Sequence, residues 1–191
     1  MRLFVALDVP EIVREAIGAI AAKLRPTCSD ARWVRIEGIH VTLKFIGEVS
    51  PEMSGQIKTA LAAVPFLRPI PIKFRDLSYF PNDRRPRVLW AGVEAGQELP
   101  ALASAVEKAL EPHGIAQEAR TFSPHLTLAR FDPRRRTDSL EALQAAIAKA
   151  GPLDFGDAIA REFHLYLSIL KQGGAEYTRV ATFCSKESDP K

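Results

Sequence analysis

Two tetrapeptides of the same form, His40-Val41-Thr42-Leu43 and His125-Leu126-Thr127-Leu128, lie one in each half of the 191-residue chain and hold two of its four histidines. Histidine titrates near neutral pH, so one imidazole can donate a proton while another accepts one at the same pH. A single His-x-Thr is usually a half-buried polar pair without chemistry, but a repeated one is less easily dismissed. The repetition therefore predicts a paired acid–base site.

Both tetrapeptides lie in runs rich in β-branched and apolar residues, 39–46 and 124–131, which predict strands. Alternation along a strand places each His and its Thr on one face. The apolar spacers then point to the opposite face and into a core. If the two strands are neighbours, two imidazoles and two hydroxyls converge in a cleft.

Composition narrows the class of protein. With 47% hydrophobic residues, the chain can bury a real core as one compact domain or as two small lobes that share a cleft. The net charge of +3 permits a polyanionic partner without requiring one. Cys28 and Cys184 have no CxxC spacing, which argues against a zinc knuckle or a disulfide framework. Asp8 and Pro10 interrupt the N-terminal apolar run, so we expect neither a signal peptide nor a membrane span, and a soluble cytoplasmic protein.

Hydrophobic periodicity and turn residues predict a recurring order of strand pairs and helices. A strand is predicted at 2–9, followed by strand pairs at 31–35 with 39–46, 70–80 with 87–93, and 163–170 with 176–184, the last pair joined at Gly173-Gly174. Helices are predicted near 11–25, 51–64, 98–113 and 139–150. The pattern indicates a single domain over 1–185 with an internal duplication and one histidine motif per half, followed by a disordered tail at 186–191.

The residues around both motifs resemble the two-histidine phosphoesterase superfamily, and within it the LigT-like RNA 2′,3′-cyclic phosphodiesterases. The stretches that carry the resemblance are Arg2–Asp8, Trp33-Val34, His40–Val49, Arg87–Trp90, Pro124–Arg130 and Leu165–Ser168. The resemblance implies an α+β, bilobed, duplicated fold in which each lobe is an antiparallel sheet with helices on its outer face and a cleft separates the sheets. It also implies metal-independent and cofactor-independent hydrolysis of a 2′,3′-cyclic phosphate to a 2′-phosphomonoester, together with reversible 2′–5′ RNA ligation.

The resemblance also implies residue roles. His40 would donate a proton to the 3′ oxygen, and His125 would be the base that activates water. Thr42 and Thr127 would bind the non-bridging phosphate oxygens, although β-propensity alone also accounts for a threonine in a strand. The two motifs are nearly symmetric, so the sequence by itself does not separate the acid from the base.

Phe45 and Arg130 complete the predicted substrate-binding set. Each lies five positions after one of the two histidines. Arg130 matches a family position near the site, but strict alternation puts it on the opposite face, so a bulge or the strand end would have to redirect it. Phe45 has the same parity and could stack on a base, whereas core packing is the more common role of an aromatic residue in a strand.

The predicted partner is RNA with 2′,3′-cyclic phosphate ends, with tRNA fragments as one candidate, and we expect a monomer that does not bind membranes. Basic loops at 84–87 and at Arg134, Arg135 and Arg136 could follow an RNA backbone or could simply be solvated. His113 and His164 are interpreted as structural. Alternative hypotheses are a phosphodiesterase for small cyclic nucleotides or 2′–5′ oligonucleotides, and a noncatalytic RNA-binding module. A metal hydrolase is disfavoured because no HxxE, HxH or carboxylate cluster accompanies either motif.

Overall fold

The computed structural model of the chain describes residues 1–132, 139–171 and 174–186. In these residues the strands are β1 (Arg2–Asp8), β2 (Arg32–Trp33), β3 (His40–Glu48), β4 (Ile70–Phe80), β5 (Val88–Ala95), β6 (His125–Arg130), β7 (Asp154–Ala160), β8 (Glu162–Lys171) and β9 (Gly174–Cys184). The helices are α1 (Glu11–Leu24), α2 (Pro51–Ala62), α3 (Glu98–Leu110) and α4 (Leu140–Ala150). The tail predicted at 186–191 lies outside the described residues from 187 onward.

The strands form two antiparallel sheets, which confirms the predicted α+β fold with two lobes. The first sheet has the order β3-β1-β8-β9, and the second sheet has the order β2-β6-β5-β4-β7. One motif strand lies in each sheet, and Cα atoms of β3 and β6 approach within 8 Å of each other where the sheets meet. The fold therefore brings the two motifs together although their histidines lie 85 positions apart in the sequence.

Two details of strand pairing differ from the prediction. β2 does not pair with β3 but with β6 of the second sheet, where Val34 N also donates to Leu128 O at 2.9 Å. A two-residue strand has too little side-chain pattern to specify its partner, and a short 3₁₀ turn at 36–38 sends the chain back to the first sheet. β7 was not predicted at all. It pairs with the outer side of β4, and its two aspartates and one glycine are residues with low β-propensity.

The helices cover the sheet faces opposite to the two histidines. α2 and α3 pack on the first sheet, whereas α1 leaves β1 of the first sheet and packs on β7 of the second. The approach of α1 is close at Gly156 (φ +110°), where an added Cβ would lie 3.4 Å from Val13 Cγ2. Ser50 caps α2 by accepting from Met53 N at 3.2 Å, as its position before Pro51 predicts.

One continuous hydrophobic core runs through both lobes. Leu3 and Leu7 of the first sheet and Phe74, Leu89 and Leu126 of the second belong to the same buried cluster. Among the described residues, no helix is long and apolar enough to cross a membrane.

Candidate active site

Both motif strands contain the same irregularity directly after the threonine. In β3, Thr42 pairs with Ala6 but Lys44 pairs with Val5, so Leu43 is an extra residue in the ladder. In β6, Thr127 pairs with Trp90 but Ala129 pairs with Leu89, so Leu128 is extra in the same way. An extra residue of this kind is a β-bulge, and it shifts the alternation of every residue that follows.

Because of each bulge, the second residue after the extra leucine points to the same face as the histidine. Arg130 therefore lies on the same face as His125 and Thr127, and it is exposed. Phe45 lies on the same face as His40 and is 55% exposed. The expectation that Phe45 packs in the core is wrong, because strict alternation does not hold across the bulge. The bulge at Leu128 turns the Arg130 side chain to the face of His125, as the sequence analysis required for a residue of the site.

His40 is held from two sides. Its Nδ1 lies 2.8 Å from Gly38 O. A carbonyl oxygen only accepts, so Nδ1 carries the proton in the neutral ring and Nε2 is the nitrogen left for chemistry. The ring stacks on Phe4 with a centroid distance of 4.6 Å and meets the edge of Tyr177 at 5.1 Å. These contacts fix the direction in which Nε2 points.

His125 has an equivalent arrangement. Its Nδ1 lies 2.8 Å from Ser123 O, again a carbonyl two residues upstream. The ring meets Phe80 edge-on at 5.0 Å and Trp90 at 6.2 Å, and Phe80 and Trp90 stack on each other at 4.8 Å. In both lobes, therefore, backbone and aromatic contacts leave the same ring nitrogen available.

The aromatic residues around the two histidines were missed by the sequence reasoning. Phe4 stands in a run of apolar residues that is buried on both faces, so its side chain could not be assigned to the cleft. Tyr177 and Trp90 reach the histidines only through strand pairing, which a single sequence does not encode locally.

The two histidines differ in their electrostatic surroundings. Burial lowers the pKa of His40 below its ordinary value, the Asp8 carboxylate raises it, and the charges of Arg130 and His125 lower it further. Asp8 is the strand partner of His40 in β1. Burial also lowers the pKa of His125, as does the Arg130 guanidinium. Arg130 thus acts on both imidazoles, whereas Asp8 acts on His40.

Asp8 is the centre of a polar cluster on the first sheet. Its carboxylate accepts hydrogen bonds from the Tyr166 hydroxyl and from the Arg179 guanidinium. Nε2 of the fully buried His164 lies 3.5 Å from Asp8 Oδ2 and 3.4 Å from Glu162 Oε1. Burial and then the contact with Asp8 raise the pKa of Tyr166 to about 12, so this hydroxyl stays a donor. The cluster fixes the position of the Asp8 carboxylate.

The other predicted residues lie away from the histidines or outside the described structure. Arg84, Arg85 and Arg87 are exposed around the turn between β4 and β5. Arg134, Arg135 and Arg136 lie outside the described residues. His113 ends the 3₁₀ turn after α3, before Gly114 in the left-handed conformation (φ +79°). In the described ranges, no group of three or more His, Cys, Asp or Glu side chains is placed to hold a metal ion.

Comparison with known proteins shows the family to which the chain belongs. The sequence model of the family described as LigT like phosphoesterase matches residues 7–90 and 92–177. The chain belongs to this family. A relative from Archaeoglobus fulgidus named RNA 2′,3′-cyclic phosphodiesterase is 35% identical over 183 residues, which cover 96% of this chain and 99% of the relative. One from Aeropyrum pernix with the same name is 38% identical and covers 75% of this chain and 80% of its own length.

Solved structures of LigT-like proteins have the same fold. A Thermus thermophilus protein, TT0787, superposes with a TM-score of 0.78 at 30% identity, covering 98% of this chain and 100% of the other. The structure of E. coli LigT complexed with 3′-AMP gives a TM-score of 0.78 at 27% identity, covering 97% and 98% of the two chains. The two-lobed architecture is thus shared over nearly the whole chain.

Proposed function

We propose that this protein hydrolyses RNA 2′,3′-cyclic phosphate ends to 2′-phosphomonoesters with two histidines as acid and base and without a metal ion. The observation that carries the proposal is the matched geometry of the two motif strands. Each presents an imidazole whose Nδ1 is engaged by a backbone carbonyl and whose Nε2 is left for chemistry. The name of the relatives, RNA 2′,3′-cyclic phosphodiesterase, supports the substrate class.

Hydrolysis requires one proton to leave the attacking water and one to reach the departing ribose oxygen. Neutral His125 removes the proton from water as the new P–O bond forms. Protonated His40 donates its proton to the 3′ oxygen as the P–O3′ bond breaks, so the phosphate stays on the 2′ oxygen. The Asp8 carboxylate supports this assignment, because it opposes the effect of burial, which lowers the pKa of His40, and no carboxylate of the described residues acts in this way on His125. Each proton transfer contributes about 10²- to 10⁴-fold to the rate.

The remaining residues of the site bind the substrate. The hydroxyls of Thr42 and Thr127 donate to the non-bridging phosphate oxygens, where negative charge grows in the transition state. Arg130 adds a full positive charge from the second lobe. Phe45, exposed on the face of His40, stacks on the base of the terminal nucleotide. Its exposure favours this role, since stacking on a base would remove the apolar ring from water.

We propose that the same arrangement also supports 2′–5′ ligation. A 5′-hydroxyl of a second RNA replaces water as the nucleophile, His125 accepts its proton, and the 3′ oxygen leaves as before. In the cell we expect a cytoplasmic monomer that acts on RNA ends such as those of tRNA fragments, with both lobes working as one domain.

The decisive experiment is the incubation of the purified protein, in the presence of a chelator, with an RNA oligonucleotide that ends in a 2′,3′-cyclic phosphate. We expect a 2′-phosphate product, and a loss of about 10²- to 10⁴-fold in turnover in His40→Ala and in His125→Ala with an unchanged far-UV spectrum. A 3′-phosphate product, or near wild-type turnover in either variant, would refute the mechanism. A series of lengths from cyclic mononucleotide upward separates RNA ends from small substrates.

A further inference from the structure

Two arginines lie directly opposite each other on neighbouring strands of the second sheet. Arg32 of β2 is the register partner of Arg130 of β6, and Arg130 is in turn the partner of Val88 in β5. Direct partners in a ladder point to the same face of a sheet. Since Arg130 lies on the face of His125, Arg32 lies on that face as well.

The next residue of β2 confirms the direction of the Arg32 side chain. Trp33 pairs with the buried Ala129 and packs against the core, where its Nε1 donates to Cys28 O at 2.9 Å. Neighbouring residues of a strand point to opposite faces, so Arg32 points away from the core. Both Arg32 and Arg130 are exposed and accessible to a ligand.

This arrangement costs stability in the free protein. Like charges directly opposite each other on adjacent strands repel. Neither guanidinium forms an ion pair with another residue of the described ranges, in contrast to Arg75 and Arg179. An anion bound between Arg32 and Arg130 would remove the repulsion and gain two charge-assisted contacts.

We propose that Arg32 and Arg130 form a second phosphate subsite, which binds the RNA phosphate on the 5′ side of the terminal nucleotide. The inference rests on the function proposed above, in which the cyclic phosphate lies between the two histidines. RNA that ends in a 2′,3′-cyclic phosphate continues only in the 5′ direction, so its next anion is the 5′-phosphate of the terminal nucleotide. Arg130 lies on the face of His125 and Thr127, and its charge lowers the pKa of both His40 and His125.

The spacing of the two arginines fits this assignment. Arg32 lies one strand farther from β5 than Arg130, about 4.8 Å along the hydrogen-bonding direction. Two guanidiniums on adjacent strands at that spacing can both contact the oxygens of one phosphate.

Two substrates that differ only in the proposed anion test the subsite: adenosine 2′,3′-cyclic phosphate with and without a 5′-phosphate. In the wild type we expect the 5′-phosphate to raise kcat/KM about 10-fold, mainly through KM, at low salt. In Arg32→Gln this preference disappears, and in Arg32→Lys most of it returns. The charge-matched control is Arg68→Gln, in the loop before β4, which keeps the preference.

Thermal unfolding gives a second readout. Because Arg32→Gln removes a like-charge contact, it raises Tm by about 1–4 °C in the absence of ligand, and the 5′-phosphorylated substrate analogue adenosine 3′,5′-bisphosphate stabilises the variant less than the wild type. A preference for the 5′-phosphate that survives in Arg32→Gln overturns the proposal, as does an equal loss on both substrates. If the wild type hydrolyses neither these substrates nor an RNA oligonucleotide that ends in a 2′,3′-cyclic phosphate, the proposed function fails, and binding of the bisphosphate to wild type and Arg32→Gln still decides the subsite.

Discussion

Replacement of Lys44 by Met tests whether the chain before β6 is tied to the first motif strand by a buried charge. Lys44 follows the bulge in β3 and is only 3% exposed. Its Nζ donates to Glu107 Oε1 of α3 at 2.9 Å and to Ala116 O at 2.7 Å, and lies 3.5 Å from a Glu118 carboxylate oxygen. The ammonium thus joins β3, α3 and the segment that leads to His125.

The cost of Lys44→Met follows from these contacts. Methionine keeps most of the buried chain length, so little packing is lost. The loss of stability comes from two short charge-assisted hydrogen bonds and from the oxygen atoms that are left without the ammonium donor. Breaking one side of a fully buried ion pair costs about 3–5 kcal/mol, but Glu107 is 18% exposed and still accepts from Glu118 N at 2.9 Å. We expect a loss of about 2–4 kcal/mol, or about 4–16 °C in Tm for a chain of this length.

The assay is urea unfolding at several pH values. Lys44 helps to lower the pKa of Glu107 against the effect of its burial. A lowered carboxyl pKa contributes stability above the carboxyl's pKa in the unfolded chain, and this contribution is lost as pH falls through the lowered pKa. The gap between wild type and Lys44→Met should therefore be widest at neutral pH and narrow toward pH 3.

The matched control is Lys171→Met, which breaks a surface ion pair with Glu176 at 2.6 Å whose side chains are half exposed. Exposed pairs contribute at most about 1 kcal/mol, so this variant should unfold close to the wild type. Equal losses in Lys44→Met and Lys171→Met, or a Lys44→Met loss that does not change with pH, would refute the argument.

Three further predictions concern the cleft. Thr42→Val and Thr127→Val keep the side-chain shape, so each should lower turnover about 10- to 1,000-fold with little change in Tm; normal turnover with a lowered Tm would mean that the threonines serve only the strands. Asp8→Asn should lower the pKa of His40 in an NMR titration of the imidazole protons and shift that of His125 less, and an upward shift for His40 would contradict the assigned electrostatics. Because burial lowers the pKa of both histidines, the bell-shaped pH profile of kcat/KM should have its maximum below pH 6.5. A maximum above pH 7 would show that the two histidines in the free enzyme are more exposed to solvent than the structure indicates.

Alternation along the strands was enough to predict the faces of His40 and His125. It failed at Phe45 and Arg130 because each lies beyond a bulge, and a bulge is set by the ladder with a neighbouring strand. Leu43 and Leu128 continue the apolar alternation, so nothing local marks them as extra residues.

Features that depend on distant partners were also beyond the sequence. Lys44 reads as a solvated strand residue, and its burial is tolerable only because Glu107, far along the chain, neutralises it. β2 was assigned to the wrong neighbour for a similar reason, since the edge it completes is offered by β6. The larger elements, with their caps and periodic apolar faces, were predictable because the information is local.

The order of strands in the two sheets has a mechanical consequence. Along the described chain, the backbone passes from one sheet to the other between β1 and β2, β2 and β3, β3 and β4, and β7 and β8. A hinge forms where only a few residues connect two rigid bodies. Here four chain crossings and a shared core restrict the motion of one sheet relative to the other. The distance between the two imidazoles is therefore set when the chain folds. Folding, and not substrate binding, covers the entropy cost of aligning the acid and the base.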